Sequence, residues 1–359
     1  MSNQVYIIAE AGVNHNGDVN LALELVEAAK EAKADAIKFQ TFKAEKLVSR
    51  HAPKAPYQIK QTGGKESQFE MLKNLELEET SHKKLLIHCE AREIDFLSSP
   101  FDLESLVFLS QELKLPRIKL PSGEITNAPL LLKAAWERKP IILSTGMSTL
   151  EEIESALGIL AFGYLRMKPS PSLTHFQNAY SSENGQSYLK KFVTLMHCTS
   201  EYPAPLDSVN LLAMGTLQSV FGLQVGYSDH TNGIAVPMAA VANGAKIIEK
   251  HFTLNRNFDG PDHQSSMEPT EFKYMVDSIR NVEQAMGSAK KFPTPVEIEN
   301  RKNVRKSLVA ACDILKGEVF SEENITFKRT GEGLSPMRFW DVLGKKASRS
   351  FSTDEPISV

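Results

Sequence analysis

The sequence predicts a (β/α)8 TIM barrel followed by a small β-rich module, and three observations carry that prediction. Short apolar runs alternate with helical stretches eight times over about 285 residues, the count and length of such a barrel. Polar and charged residues gather at the C-terminal end of run after run, whereas an open doubly wound sheet concentrates them at one switch point. From Arg305 to Val359 the pattern changes to short strands joined by tight turns.

In chain order, Val5–Ala9 is the first strand, with a helix from about Asn20 to Lys33. Ala36–Phe39 is the second strand, followed by a long polar excursion and a helix from about Thr80 to Arg92. Asp95–Ser98, Arg117–Leu120 and Ile141–Ser144 are strands three to five, backed by helices at Leu103–Leu113, Pro129–Glu137 and Leu150–Leu160. Val193–His197 is strand six, with Leu211–Phe221 behind it. Gln224–Tyr227 and Lys246–Lys250 are strands seven and eight, joined by the short helix Ile234–Asn243, which makes them parallel neighbours. Pro269–Met286 closes the barrel.

The expected domains are therefore a barrel over 1–286, a Lys/Pro-rich linker over 287–304 and a terminal module over 305–359. The module buries little core alone and is expected to pack against something larger. Phe162–Lys191, rich in Pro, Ser and Asn, reads as a surface insertion on the face away from the chemistry.

A hydrophobic content of 42%, a charged content of 24% and a net charge of −3 are those of a globular protein without an electrostatic case for nucleic acid or an anionic membrane. Neither a signal segment nor a membrane span is read. Cys89, Cys198 and Cys312 are odd in number and far apart, which fits reduced thiols and a cytoplasmic location. Cys198 reads as core rather than nucleophile.

The chemistry centres on His230 and His251. Each emerges from the end of one of two adjacent parallel strands, with Asp262 close behind. A lone histidine in a polar loop is better read as a hydrogen-bonding group, but two at matching strand ends point to a partly open divalent metal site. Lys38 and Lys119 lie on strands whose alternate positions are apolar, so they face the barrel interior and require an anion. Ser99, Ser122, Ser144 and Ser228 add hydroxyls at the same rim, and together the set suits a phosphate monoester. Any one of these serines alone would read as a helix cap. His197 and Tyr202 fall at the end of strand six or just beyond. Glu10 and Glu124, at the mouths of strands one and four, are candidate acid/base groups, or else salt-bridge partners of the two lysines.

The stretches IIAEAGVNHNGD, IKFQT, SSPFD, IKLPSGE, LSTGM, HCTSEYPAP, VGYSDHT, EKHFT and GPDH, in that order, resemble the sialic acid synthase family. RKSLVA and KRTGEG resemble the antifreeze-protein-like SAF domain those enzymes carry. The resemblance implies a metal-dependent barrel that condenses phosphoenolpyruvate with an N-acetylated mannosamine-type aldose. It assigns His230 and His251 to a divalent metal, Mn2+ or Mg2+. Lys38, Ser99, Lys119, Ser122, Ser144 and Ser228 fall to phosphoenolpyruvate, and Gln40, Glu124, Tyr202 and Asp262 to the sugar. Ser99 stands where relatives have Thr, and Ser200 where some have Asn. Glu124 is the expected proton carrier, with Glu10 assisting. Arg329 is expected to reach the partner's site in a homodimer with exchanged C-terminal domains.

The function so implied is N-acetylneuraminate synthase, making N-acetylneuraminate and phosphate from N-acetylmannosamine, phosphoenolpyruvate and water. The alternative is a legionaminic acid synthase acting on a 2,4-diacetamido-2,4,6-trideoxymannose; APYQIKQTGGKESQFEML fits either branch better than the pseudaminic one. Outside the family, a metal-dependent pyruvate aldolase would use the histidines but not the paired lysines and hydroxyls. A carbohydrate- or ice-binding protein would use the terminal module alone.

Overall fold

A computed structural model of the chain describes residues 4–168 and 170–359 and divides it into two compact units, Met1–Gly287 and Ser288–Val359. The first carries eight parallel strands: β1 (Tyr6–Gly12), β2 (Ala36–Thr41), β3 (Asp95–Pro100), β4 (Ile118–Leu120), β5 (Ile141–Ser144), β6 (Val193–Cys198), β7 (Gln224–Asp229) and β8 (Ile247–His251). They hydrogen-bond in the order β3-β2-β1-β8-β7-β6-β5-β4. Because β1 pairs with β8, the first and last strands are neighbours, and β3 and β4 touch at the remaining seam. This is the expected barrel.

Two-residue alternation builds its interior in layers. Ile8, Ala36, Leu97, Ile142, Met196 and Ile247 form one apolar cluster. Two residues further along the same strands stand Glu10, Lys38, Ser99, Ser144, Cys198 and Glu249. The apolar layer thus forms a plug, and the polar layer above it is the floor of whatever lies at the C-terminal mouth. The intervening residues, such as Ile7, Ile37, Phe96, Ile118, Leu143, Leu195 and Ile248, face outward into the core shared with the helices. His197 follows this rule: it lies on the outward face of β6 and its Nε2 donates to Val209 O at 2.7 Å.

Three expectations change. The excursion between β2 and β3 is a strap of three short helices, Ala44–Leu47, Pro56–Thr62 and Gln68–Asn74. The insertion is helical too: Leu150–Leu165 runs on through the buried Phe162, and Leu173–Ser181 and Glu183–Phe192 follow, with Pro169 outside the described residues. Two of its Ser residues serve as helix caps, Ser172 and Ser182 accepting from His175 and Gly185 backbone N–H groups. Third, the stretch read as a linker contains the helix Pro295–Val304, started by a Thr294/Glu297 capping box.

The second unit pairs β9 (Lys306–Ala310) antiparallel to β10 (Ile325–Arg329) around a core of Leu308, Phe320, Ile325, Val342, Phe351 and Ile357. No helix among the described residues is long and apolar enough to cross a membrane.

Candidate active site

The polar layer opens into a cavity of about 460 Å³, a size suited to a small-molecule ligand. Its floor is a charge cluster almost sealed from solvent. Lys38 Nζ lies 3.1 Å from Glu10 Oε2, 3.2 Å from Glu249 Oε1 and 3.4 Å from Ser99 Oγ. Lys119 Nζ donates to Ser144 Oγ at 2.7 Å and lies 3.6 Å from the same Glu249 oxygen, which also accepts from Ser228 Oγ at 3.0 Å. Two ammonium groups thus share one carboxylate, and buried charges of this kind persist only when so paired.

Proton affinities in the cluster diverge. Burial pushes Glu10 up to about 7 against the pull of Lys38, whereas Lys119 and Lys38 outweigh burial at Glu249 and hold it at about 2. Lys38 is raised because Glu10 and Glu249 overcome its desolvation; Lys119 is lowered by burial, with only partial relief from Glu249. One carboxyl therefore exchanges its proton near neutrality while the other stays charged, the divergence that separates acid/base groups from counter-ions.

The histidines stand at the rim. His230 Nδ1 donates to Thr199 O at 2.6 Å, which leaves Nε2 as the lone-pair nitrogen, 3.4 Å from Ser228 Oγ. The ring of His251 lies 5.5 Å from that of His230, and its Nδ1 finds no hydrogen-bond partner among the described residues. Asp262 Oδ2 is 3.9 Å from that nitrogen. Burial drives His230 down to about 4 and also holds His251 well below the ordinary imidazole value, so both imidazoles are neutral, the state in which they ligate a cation. Burial also raises Asp262 to about 6. Neutral, oriented imidazoles with a buried unsatisfied nitrogen fit a divalent ion. Among the described residues no group of three or more His, Cys, Asp or Glu is arranged to hold one, so the protein would supply the histidine pair and leave positions for substrate or water.

Aromatic packing ties this rim to the strap. Tyr202 packs on His230 at 4.2 Å and meets His251 edge-on at 5.3 Å, and Tyr57 of the strap packs on Tyr202 at 5.0 Å. Gln40 Nε2 approaches Glu10 Oε1 at 3.4 Å. Close by, Gly12 adopts φ +54 at the bulge in β1, and a Cβ there would lie 3.2 Å from Glu10 Oε1 and 3.3 Å from Gln40 Nε2. Ser122 Oγ accepts from Gly146 N at 2.9 Å and lies 3.2 Å from Cys198 Sγ.

Of the residues singled out from sequence, Glu10, Lys38, Gln40, Ser99, Lys119, Ser122, Ser144, Tyr202, Ser228, His230, His251 and Asp262 all line this one cavity. Three stand elsewhere, His197 on the outward face of β6 among them. Glu124, half-buried after β4, is outside the lining, and its carboxylate accepts from Asn127 Nδ2 at 2.7 Å. Arg329 is exposed at the end of β10 in the other unit, in register with Lys306. Sequence reasoning missed Glu249 and the strap residues. The signal for Glu249 was present: Ile247, Glu249 and His251 share one strand face.

Comparison with known proteins gives the chain its relatives. The NeuB family matches residues 25–291, and the SAF domain matches residues 305–358. The chain is 50% identical to the N,N'-diacetyllegionaminic acid synthase of Campylobacter jejuni over 98% of each chain. It is 45% identical to the enzyme of the same name from Legionella pneumophila, over 97% of this chain and 91% of that one. A solved N-acetylneuraminic acid synthetase from Leptospira borgpetersenii, in complex with citrate, superposes with TM-score 0.66 at 33% identity, over 84% of this chain and 92% of that chain.

Proposed function

The chain belongs to the NeuB family, and on that premise we propose that it is an N,N'-diacetyllegionaminic acid synthase, joining phosphoenolpyruvate to 2,4-diacetamido-2,4,6-trideoxymannose. It is a phosphoenolpyruvate-dependent condensing enzyme of the nonulosonic acid synthase kind. Relatives named for the legionaminic product, at 50% and 45% identity, favour that sugar over N-acetylmannosamine, the substrate first expected. The observation that carries the reading is the juxtaposition, in one cavity, of the Lys38/Lys119 floor and the His230/His251 rim.

Lys38 and Lys119, with the hydroxyls of Ser99, Ser122, Ser144 and Ser228, bind the carboxylate and phosphate of phosphoenolpyruvate. Glu249 pairs with both ammonium groups in its absence. The sugar lies above, with its aldehyde toward His230 and His251. These two histidines would hold the divalent ion, which when bound polarises the aldehyde oxygen as a Lewis acid. C3 of phosphoenolpyruvate attacks the aldehyde carbon, forming the new C–C bond, and the aldehyde oxygen takes up the proton held by Glu10. Water adds at C2, and as the C2–O bond to phosphate breaks the remaining hydroxyl proton leaves with the phosphate, giving the 2-keto acid. Glu10, at the edge of the floor and exchanging its proton near neutrality, takes the water's proton. Gln40, Tyr202 and Asp262 orient the sugar. We extend the reading to assembly: Arg329 serves the cavity of a partner in a homodimer.

The test is product analysis. Purified enzyme with Mn2+, phosphoenolpyruvate and the diacetamido sugar is expected to release one phosphate per nine-carbon acid detected by mass spectrometry. Turnover of pyruvate in place of phosphoenolpyruvate, without phosphate release, would make the protein an aldolase instead.

A further inference from the structure

The floor of the cavity is charged, but the wall supplied by the strap is not. Leu47, Val48, Met71, Leu72 and Leu75 line the cavity from the strap, with Phe101 after β3, and the strap also lends Tyr57, Gln58 and Gln68 to the lining. Met71 and Leu75 are buried against Val13 and Phe42, which makes the wall continuous with a small apolar core. Leu47, Val48 and Leu72 are only half-buried, so their apolar surface is still presented to the cavity.

The strap is held in place. Lys54, 6% exposed, donates to Thr62 Oγ1 at 2.8 Å, Gly63 O at 3.2 Å and Glu66 Oε1 at 2.9 Å. Gln61 Nε2 reaches Ser265 Oγ at 3.2 Å, and Tyr57 packs on Tyr202. Lys54 is therefore committed to the strap itself. Among the described residues the only cations lining the cavity are Lys38 and Lys119, at the floor.

We propose that this strap wall selects the sugar by its far end, accepting the methyl group of a 6-deoxy sugar and disfavouring a hydroxymethyl or phosphorylated end. The inference rests on the condensing reading above and adds the residues that set its substrate class. With the aldehyde at the histidines and the floor occupied by phosphoenolpyruvate, the strap is a large part of the lining left for the rest of the sugar, alongside Met147, Ser200 and Pro261. A methyl group buries apolar surface there. On that apolar patch a hydroxyl loses water, and the strap amide of Gln58 is already committed, its Oε1 accepting from Ala55 N at 2.9 Å and Gln68 Nε2 at 3.3 Å and its Nε2 donating to Tyr57 Oη at 3.4 Å. A phosphate dianion finds no cation among the strap residues of the lining.

The magnitude follows from what such pockets achieve. An apolar wall discriminates against an added hydroxyl by about 10–100-fold and against a charged group far more strongly. The clean comparison is 2-acetamido-2,6-dideoxymannose against N-acetylmannosamine, which differ only at C6. The Mn2+-loaded enzyme is expected to favour the 6-deoxy sugar by about 10–100-fold in kcat/KM. N-acetylmannosamine 6-phosphate is expected to give no measurable turnover. Val48→Thr keeps the side-chain shape and places a hydroxyl in the wall; Leu72→Gln places an amide there. Both are expected to bring the 6-deoxy preference to within a few-fold while leaving the KM for phosphoenolpyruvate unchanged. A melting temperature equal to the parent's in Val48→Thr separates this from loss of folding. A parent ratio near unity, or an unchanged ratio in a folded Val48→Thr, overturns the proposal while leaving the condensation standing. Absence of product with every sugar, the diacetamido sugar included, overturns both.

Discussion

Lys250 Nζ lies 2.5 Å from Asp229 Oδ2, and each residue immediately precedes one of the two histidines at the cavity rim. The pair lies on the outward face of β7 and β8 and is almost wholly buried, at 2% and 0% side-chain exposure. Lys250 also donates to the carbonyls of Thr231 and Gly233, while Asp229 Oδ1 accepts from Thr231 N and Oγ1. The loop carrying His230 is thus clamped to the strand carrying His251. Lys250→Met leaves the Asp229 carboxylate buried without its partner, so a loss of about 3–5 kcal/mol in unfolding free energy is expected. Adding Asp229→Asn to it should recover part of that loss. Equal stability of parent and Lys250→Met in a urea titration would contradict the clamp.

Lys119→Met removes one of the two floor cations. A hydrogen bond to a charged group contributes about 1.5–3 kcal/mol, so the KM for phosphoenolpyruvate should rise on the order of 10–100-fold. The KM for the sugar should move by no more than a few-fold. Initial rates with each substrate varied in turn decide it, and equal effects on both would remove Lys119 from the phosphoenolpyruvate site.

His251→Ala deletes one of the two rim imidazoles. The purified variant should retain less Mn2+ than the parent by elemental analysis, and a direct Mn2+ titration should show weaker binding, independent of turnover. EDTA should abolish activity of the parent, and Mn2+ should restore it. Unaltered Mn2+ binding by the variant would move the ion elsewhere.

Acid stability should track His15. It is 1% exposed; burial drives it down to about 3, and its Nδ1 accepts from Gly17 N at 3.0 Å. A group whose folded value lies below its unfolded value of about 6.5 binds protons more tightly when unfolded. Its contribution is therefore complete above pH 6.5 and falls as pH drops from there toward 3, by up to about 1.4 kcal/mol per pH unit. His15→Asn should flatten the acid limb of a stability-versus-pH curve measured by urea unfolding. An unchanged slope between pH 6 and 4 would show that His15 does not contribute.

The exchanged homodimer makes its own prediction. Arg329→Ala and His251→Ala subunits, each inactive alone, should regain activity when co-expressed, because a mixed dimer then holds one cavity with both residues intact. Verified mixed dimers without turnover would assign Arg329 to another role.

Barrel order was legible because each strand must satisfy two faces at once. Ile7, Ile37 and Ile248 alternate with Glu10, Lys38 and Glu249 along their strands, and a two-residue period survives any change in the distant chain. The same rule brought Lys38, Lys119, His230 and His251 to one end, since parallel strands point their C-termini together. Distances across the barrel lie outside any such rule. That one Glu249 oxygen stands 3.2 Å from Lys38 and 3.6 Å from Lys119 depends on how strands far apart in sequence close on each other. Glu124 illustrates the reverse: its position just past β4 implied a place in the cavity, but the turn Ser122–Glu124 carries its carboxylate to Asn127. The strap between β2 and β3 looked like a polar loop because its apolar residues are few and its helices short. Only packing against Val13, Phe42 and Phe101 made a wall of them, since three one- or two-turn helices have no stability apart from the surface they cover.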